Sequence, residues 1–297
     1  MRLFLAYWGV VLIWTTTPLA IKLSTVELSF VFAATARMTI GGFCLLLLML
    51  VTRQSLAWHG KALQTYFAVA LQLYLSLLLT YWSAQFIPSG WVSVIFGLSP
   101  FMTAFLAAAF LQERSLGWAK LFSYCLGISG LLVMFNSALD LNSMAIQGML
   151  GVLLATFLHA ASAVWVKRIN AQLATLPQIS GGMLLGLPLY WATWYWLEQG
   201  QLPVAIPDIN LWAIAYLGLI ATPLGLAWYY YVLSYMPATH VAMINLLTPV
   251  LSLWLGYSIN QEPITEKTVL GTGLILLALA LHNLIDRFQR RRKAMPA

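Results

Sequence analysis

The sequence predicts an all-α polytopic membrane protein with ten transmembrane helices in two inverted five-helix repeats. Three observations carry this. The first is composition: of 297 residues, 61% are hydrophobic and only 8% are charged, where a soluble domain carries about 25% charged residues. So few charges cannot cover a water-facing surface, so the surrounding medium is lipid. The second is the spacing of apolar runs. Ten segments reach the roughly 20 residues that a helix needs to cross a bilayer. The third is an internal repeat. Residues 88–113, PSGWVSVIFGLSPFMTAFLAAAFLQE, align without a gap on residues 237–262, PATHVAMINLLTPVLSLWLGYSINQE, at an offset of 149. Pro88 falls on Pro237, Pro100 on Pro249, and Gln112-Glu113 on Gln261-Glu262. Repetition at half the chain length is the mark of a duplication.

The ten segments fall at about 3–21, 28–51, 64–86, 89–111, 118–136, 147–166, 178–197, 210–235, 238–259 and 267–285. The connections are short and leave no room for a soluble domain. The first run is too long for a signal peptide and is followed at once by a second, so it reads as a retained helix. Lys and Arg set the orientation. With the N-terminus in the cytoplasm, Arg2, Arg53, Lys61, Arg114, Lys120, Lys167, Arg168 and the tail RFQRRRK all lie inside, against Lys22 and Lys267 outside. Both termini are then cytoplasmic, and the expected location is a bacterial inner (plasma) membrane. Five spans per half is an odd number, so the second half enters the membrane in the opposite sense. Glu113 ends its helix at the cytoplasmic face and Glu262 at the outer one. The halves are placed at 3–140 and 147–286, with a basic cytoplasmic tail at 287–297. Inverted repeats of this kind are an architecture of alternating-access transporters. Basic residues spread over loops and tail fit membrane anchoring rather than nucleic-acid binding. Cys44 and Cys125 sit inside apolar runs and offer no disulfide framework.

With these features in place, the chain resembles the ten-helix drug/metabolite transporters built from two EamA domains. The resemblance covers about residues 5–285. It rests on the first helix (GVVLIWTTTPLAIK), on Arg37 opening the core of the second helix, and on the doubled proline–proline–glutamate helix. It implies a substrate cavity at the interface of the two halves, lined mainly by the first, third, fourth, sixth, eighth and ninth helices. The fifth and tenth would be peripheral. It also implies export of amino acids and related metabolites. The first-helix glutamate used by small four-helix relatives has no match, since that helix offers Trp14 and threonines.

Candidate site residues follow from depth and polarity. Pro100 and Pro249 lie near the middle of two helices, where proline removes a backbone hydrogen bond and clashes with the carbonyl four residues back. The freed carbonyls belong to Phe96 and Asn245 and must find partners in protein or in a wet cavity. Ser99 and Thr248 precede the prolines and are placed to help. Each kink is either a packing feature or a rocking point beside a substrate. Thr15-Thr16-Thr17-Pro18 is a comparable break in the first helix, which puts Thr15 and Thr17 among the candidate ligands and Pro18 among the hinges. Arg37 lies roughly 15 Å into its helix at 1.5 Å per residue. An intramembrane Arg must face protein or water. It is either a clamp for a substrate carboxylate or a tether to backbone carbonyls. His159 is a midplane core residue or a substrate contact. His240 is an exposed or gating residue. Asn245 is an interhelical hydrogen bonder or a ligand. Trp14, Tyr74, Tyr81 and Tyr230 are candidates for an aromatic pocket wall, which would also accept a cation by cation–π contact. Glu113 and Glu262 sit at opposite faces and so serve capping or gating, for instance by a salt bridge with Arg114 or Lys120.

No acidic residue lies inside a predicted span, so the sequence does not support proton coupling through a buried carboxylate. No metal spacing, phosphate loop or nucleophile–base motif occurs, so no cofactor and no catalytic residue are expected. The expected partners are a small-molecule substrate and the lipid bilayer, with the chain a monomer or homodimer. The leading expectation is alternating-access export of small amphipathic metabolites such as amino acids. A lipid flippase or scramblase, or an intramembrane lipid-modifying enzyme, is the alternative.

Overall fold

Apolar stretches of helix length fold as helices because lipid leaves backbone groups no other partner. The computed structural model describes residues 2–111, 118–141, 143–236 and 238–294, excepting the side chains of 139–141, 143, 230, 233, 234, 238–240, 242 and 286–294. The chain begins with α1 (Arg2–Leu23), α2 (Phe30–Val51) and α3 (Gly60–Ala70). A π-helical turn, Leu71–Ser76, leads from α3 into α4 (Leu77–Ala84). Next come α5 (Ser89–Phe96), α6 (Ser99–Phe110), α7 (Trp118–Leu141), α8 (Ser143–Ile169) and α9 (Thr175–Glu198). The last elements are α10 (Asp208–Ala215), a second π-helical turn at Tyr216–Ala221, α11 (Pro223–Tyr235), α12 (Ala238–Asn260) and α13 (Glu266–Ala294). Helix α13 therefore extends through most of the expected tail.

Among the described residues, eight helical stretches are long and apolar enough to cross a membrane: Arg2–Leu23, Phe30–Val51, Gly60–Ala84, Ser89–Phe110, Trp118–Ala138, Met144–Ile169, Asp208–Tyr229 and Glu266–Ile285. Helices α9 and α12, of 24 and 23 residues, are long enough but fall outside this set. Helix α9 intersperses Pro, Gly, Trp and Tyr with its leucines.

Packing runs between the two halves of the chain. Helix α1 lies against α11 and α12, while α8 lies against α6 and the α3–α4 rod; α2 packs on α9, α7 on α13 and α5 on α12. Small residues set the closest crossing. A Cβ on Gly130 would lie 2.6 Å from the Gly271 carbonyl oxygen, and one on Gly271 would lie 2.7 Å from that of Gly130. That glycine contact lets the α7 and α13 backbones touch, and the pair joins the main core through Leu131, Met134, Ile275 and Leu279.

The three expected proline breaks behave differently. Helix α1 is continuous through Pro18, with Thr17 Oγ1 donating to the Ile13 carbonyl at 2.6 Å and Thr16 Oγ1 to that of Leu12 at 2.8 Å in the turn before it. Helix α12 is also continuous through Pro249. At Pro100 the helix is interrupted outright: α5 ends at Phe96 and α6 begins at Ser99 with the proline in its first turn, where proline is tolerated. Its repeat mate keeps Leu246 where this copy has Gly97, and glycine weakens the helix just before the proline.

Candidate functional site

A cavity of about 370 Å³ lies where the two halves meet. From the first half it is lined by Trp14, Thr17, Pro18 and Ile21 of α1, Arg37 and Met38 of α2, and Gln72, Leu73 and Ser76 of the first π-helical turn. Leu77 and Thr80 of α4, Val92, Ser93 and Phe96 of α5, and Gly97 and Ser99 beyond them continue that wall. The second half supplies His159 of α8, Ala221 at the end of the second π-helical turn and Thr222 just after it, Leu226 and Tyr229 of α11, and Asn245 and Thr248 of α12.

The lining has a compositional rule. The chain has twelve prolines, and four of them follow a hydroxyl residue: Thr17-Pro18, Ser99-Pro100, Thr222-Pro223 and Thr248-Pro249. All four hydroxyl residues line the cavity. Proline withdraws a helix donor, and the neighbouring hydroxyl turns back onto its own helix, as Thr17 does onto the Ile13 carbonyl. Thr222 does the same through its bond of 2.8 Å to the Leu217 carbonyl. Polar backbone in a membrane protein is tolerated where it borders a wet space.

The wall positions its polar groups individually. Arg37 is 7% exposed. Its Nε donates to Thr222 Oγ1 at 3.5 Å, and its guanidinium carbon stands 5.8 Å from the centre of the Tyr81 ring. Trp14 stacks at a tilt on Tyr229, with ring centres 4.9 Å apart, and His159 meets Phe96 edge-on at 6.0 Å. Ser93 Oγ donates to Ser252 Oγ at 2.9 Å, which donates to the Thr15 carbonyl at 2.8 Å, joining α5, α12 and α1. Ser76 Oγ ties its π-helical turn to the Ala155 carbonyl of α8 at 2.7 Å.

Of the sequence candidates, the cavity gathers Trp14, Thr17, Pro18, Arg37, Ser99, His159, Asn245 and Thr248. Thr15, Tyr74 and Tyr81 are not among its lining residues. Thr15 is buried, with its carbonyl taken by Ser252. The Tyr74 hydroxyl bonds Thr193 Oγ1 at 2.5 Å, and its ring packs edge-on against Tyr190. Tyr81 is fully buried behind Arg37. The Tyr230 and His240 side chains and all of Glu113 lie outside the described residues; the neighbouring Tyr229 lines the cavity instead. Sequence reasoning missed Gln72, Ser76, Ser93, Thr222 and Tyr229. The hydroxyl–proline pair marks Thr222, and an amide in an apolar run marks Gln72 as it does Asn245.

Beyond one end of the cavity lies Glu262, 6% exposed. Of the gating salt bridges expected for the two glutamates, the structure shows one at Glu262, with Lys22 Nζ 3.8 Å from Oε1; Glu113 and Arg114 lie outside the described residues. Lys22 also donates to the Ile87 carbonyl at 2.7 Å. Helix α5 closes against α12 at this end. Toward the other end α6 turns to α8 and, among the described residues, forms no comparable pair with α12.

The profile of the EamA-like transporter family matches residues 3–136 and again residues 146–284. The chain belongs to the EamA-like transporter family. It is a multi-pass membrane protein. An uncharacterized transporter of Archaeoglobus fulgidus is 28% identical over 90% of this chain and 93% of its own. The uncharacterized transporter YoaV of Bacillus subtilis is 24% identical over 98% and 99% of the two chains. A probable amino-acid metabolite efflux pump of Salmonella typhimurium is 26% identical over 70% of this EamA chain and 71% of its own. One crystal structure superposes with a TM-score of 0.64 at 18% identity, covering 96% of this chain and 98% of that one. At that identity the likeness speaks for the fold.

Proposed function

We propose that this EamA-family protein is an alternating-access exporter of small amphipathic metabolites. Ten helices cross the bacterial inner membrane as two inverted five-helix repeats, with both termini in the cytoplasm. The observation that carries the reading is the cavity of about 370 Å³ walled by both halves. The exchange of partners between halves supports the inverted repeat. Helix α1 meets α12 as α8 meets α6, and α1 meets α11 as α8 meets the α3–α4 rod. A pseudo-two-fold relation between the halves gives that pattern, and the odd number of spans per half makes it inverted in this reading. With the positive-inside orientation Lys22 and Glu262 stand on the outer face, and this reading makes their pairing the outer closure. Binding falls to Trp14, Thr17, Arg37, Ser99, His159, Asn245 and Thr248, with Tyr229 joining the aromatic wall. Thr15, Tyr74 and Tyr81 act as supports behind it. Pro18, Pro100 and Pro249 are the pivots.

The name of the Salmonella relative supports a substrate among amino acids and their metabolites. Counterflow in proteoliposomes with a labelled panel of amino acids, organic acids and amines tests this. Saturable exchange that is lost in Trp14→Ala and His159→Ala, with the variants still folded, supports transport through this cavity. Movement of labelled lipid between leaflets without solute exchange would instead make the protein a scramblase, and chemical conversion of the lipid would make it an enzyme.

A further inference from the structure

Arg37 places a full positive charge in the cavity wall without a fixed counter-charge. It is 93% buried, being 7% exposed, and it lines the cavity. Its Nη1 has no hydrogen-bond partner. No lining side chain is acidic, and among the described residues Arg37 forms no ion pair. A guanidinium does not give up its proton in a protein. An unpaired buried charge is costly, so the occupant that stabilises the site most supplies the negative charge. The hydroxyls of Thr17, Ser99, Thr222 and Thr248 offer only dipoles.

We propose that the substrate is a small organic monoanion. Its carboxylate sits on the Arg37 guanidinium and its apolar body lies against Trp14, Phe96, Leu226 and Tyr229. This rests on the transport reading above and names the substrate class of the same cavity. A monoanion leaves the occupied cavity neutral. A zwitterion leaves it at one positive charge. An amine puts a second cation into a chamber of about 370 Å³, and at such separations like charges repel. The volume is at the low end of the range of about 300–1,000 Å³ for ligand pockets, which suits a compact body.

The charge also bears on direction. A monoanion that crosses alone carries one negative charge outward. In a cell with a negative interior, each 100 mV then sustains a concentration ratio of about 50-fold. Export needs no coupling ion under this scheme, in keeping with a cavity wall that holds no acidic side chain.

The test uses two matched triads with constant bodies and varied charge: 3-phenylpropionate, phenylalanine and phenethylamine, and 4-methylpentanoate, leucine and isoamylamine. Binding is read as the rise in unfolding temperature of the purified protein. Transport is read as counterflow in proteoliposomes, with and without a potassium–valinomycin potential. The acids should bind about 10-fold or more tighter than the zwitterions, and the amines should neither bind nor exchange. An inside-negative potential should speed efflux of the acids. Arg37→Gln should weaken acid binding by about 10- to 100-fold and erase the preference for acids. Arg37→Lys should retain it in part. The proposal falls if an amine or a zwitterion binds as tightly as its acid, or if neither acid binds. It also falls if Arg37→Gln leaves the order of the triads unchanged. Acids that bind through Arg37 but do not exchange would leave the substrate class standing and remove the transport reading.

Discussion

Ser89 grips the carboxylate of Glu262 twice: its backbone N–H and its hydroxyl each donate to Oε2 at 2.8 Å. Ser89 is the first residue of α5, so the carboxylate caps a helix N-terminus, where open N–H groups and the helix dipole favour negative charge. Asn260 Nδ2 donates to Oε1 at 2.9 Å, and Lys22 stands at 3.8 Å from the same oxygen. One carboxylate thus holds the ends of α1, α5 and α12 together at one end of the cavity.

Glu262→Ala should therefore loosen that end. The variant loses charge-assisted bonds and leaves Lys22, one quarter exposed, without its carboxylate. The expected cost is about 2–4 kcal/mol. It is checked as a lower unfolding temperature together with faster labelling of a cysteine at Val92, in a background lacking Cys44 and Cys125. Unchanged labelling from the Lys22 side would show that the cluster does not hold the cavity shut.

Gly256→Ala should weaken the same cluster without touching a charge. A Cβ there would lie 2.3 Å from Glu262 Oε2 and 3.0 Å from Ser89 Oγ. The carboxylate can yield only by giving up its hydrogen bonds. A loss of about 1–2 kcal/mol is expected from the added methyl. Adding it to Glu262→Ala should cost little more, because the clash is already gone. Full additivity in that double-mutant cycle would refute the contact.

The helices were legible because lipid permits an apolar run little else. Depth was legible too: Arg37, His159, Asn245, Pro18 and the hydroxyl residues Thr17, Ser99 and Thr248 beside the prolines were placed mid-helix and line the cavity. Facing was not. Tyr74 and Tyr81 are as deep as the lining residues but stand behind them. Which side of a helix faces the cavity depends on register, and the π-helical turn at Leu71–Ser76 resets register without an obvious mark in LQLYLS. The same device at Tyr216–Ala221 brings Thr222 and Tyr229 to the cavity. The repeat concealed a difference as well. Pro100 and Pro249 align, yet one begins a helix and the other sits inside one, because Gly97 replaces the leucine of the other copy.

Gly130→Ala should separate stability from site chemistry. Its Cβ would meet the Gly271 carbonyl oxygen at 2.6 Å and the Ile275 backbone nitrogen at 3.0 Å. Backbone cannot rotate away as a side chain does, so α7 and α13 must part. The expected loss is about 1–3 kcal/mol in unfolding experiments. Neither helix contributes to the cavity lining, so the apparent affinity for any exchanged substrate should stay within about two-fold in the folded fraction. A selective loss of affinity would place this helix pair in the transport cycle.

Tyr81→Phe distinguishes a supporting role from a binding one. The Tyr81 ring is fully buried and faces the Arg37 guanidinium carbon at 5.8 Å, while its hydroxyl has no hydrogen-bond partner. Phenylalanine keeps the ring and its attraction for the cation, and it removes a buried polar group that contributes no bond. Loss of an unsatisfied buried hydroxyl is neutral or stabilising, so the unfolding temperature should hold or rise, and exchange should proceed at the wild-type rate. Tyr81→Leu removes the aromatic face as well. Arg37 then loses the contact that orients it, at a cost of about 1–2 kcal/mol, and substrate affinity should fall with it. A support predicts this split between the two variants, with phenylalanine silent and leucine defective. If Tyr81→Phe alone abolishes exchange while the protein remains folded, the hydroxyl takes part in binding and the cavity wall extends one layer deeper than its present lining.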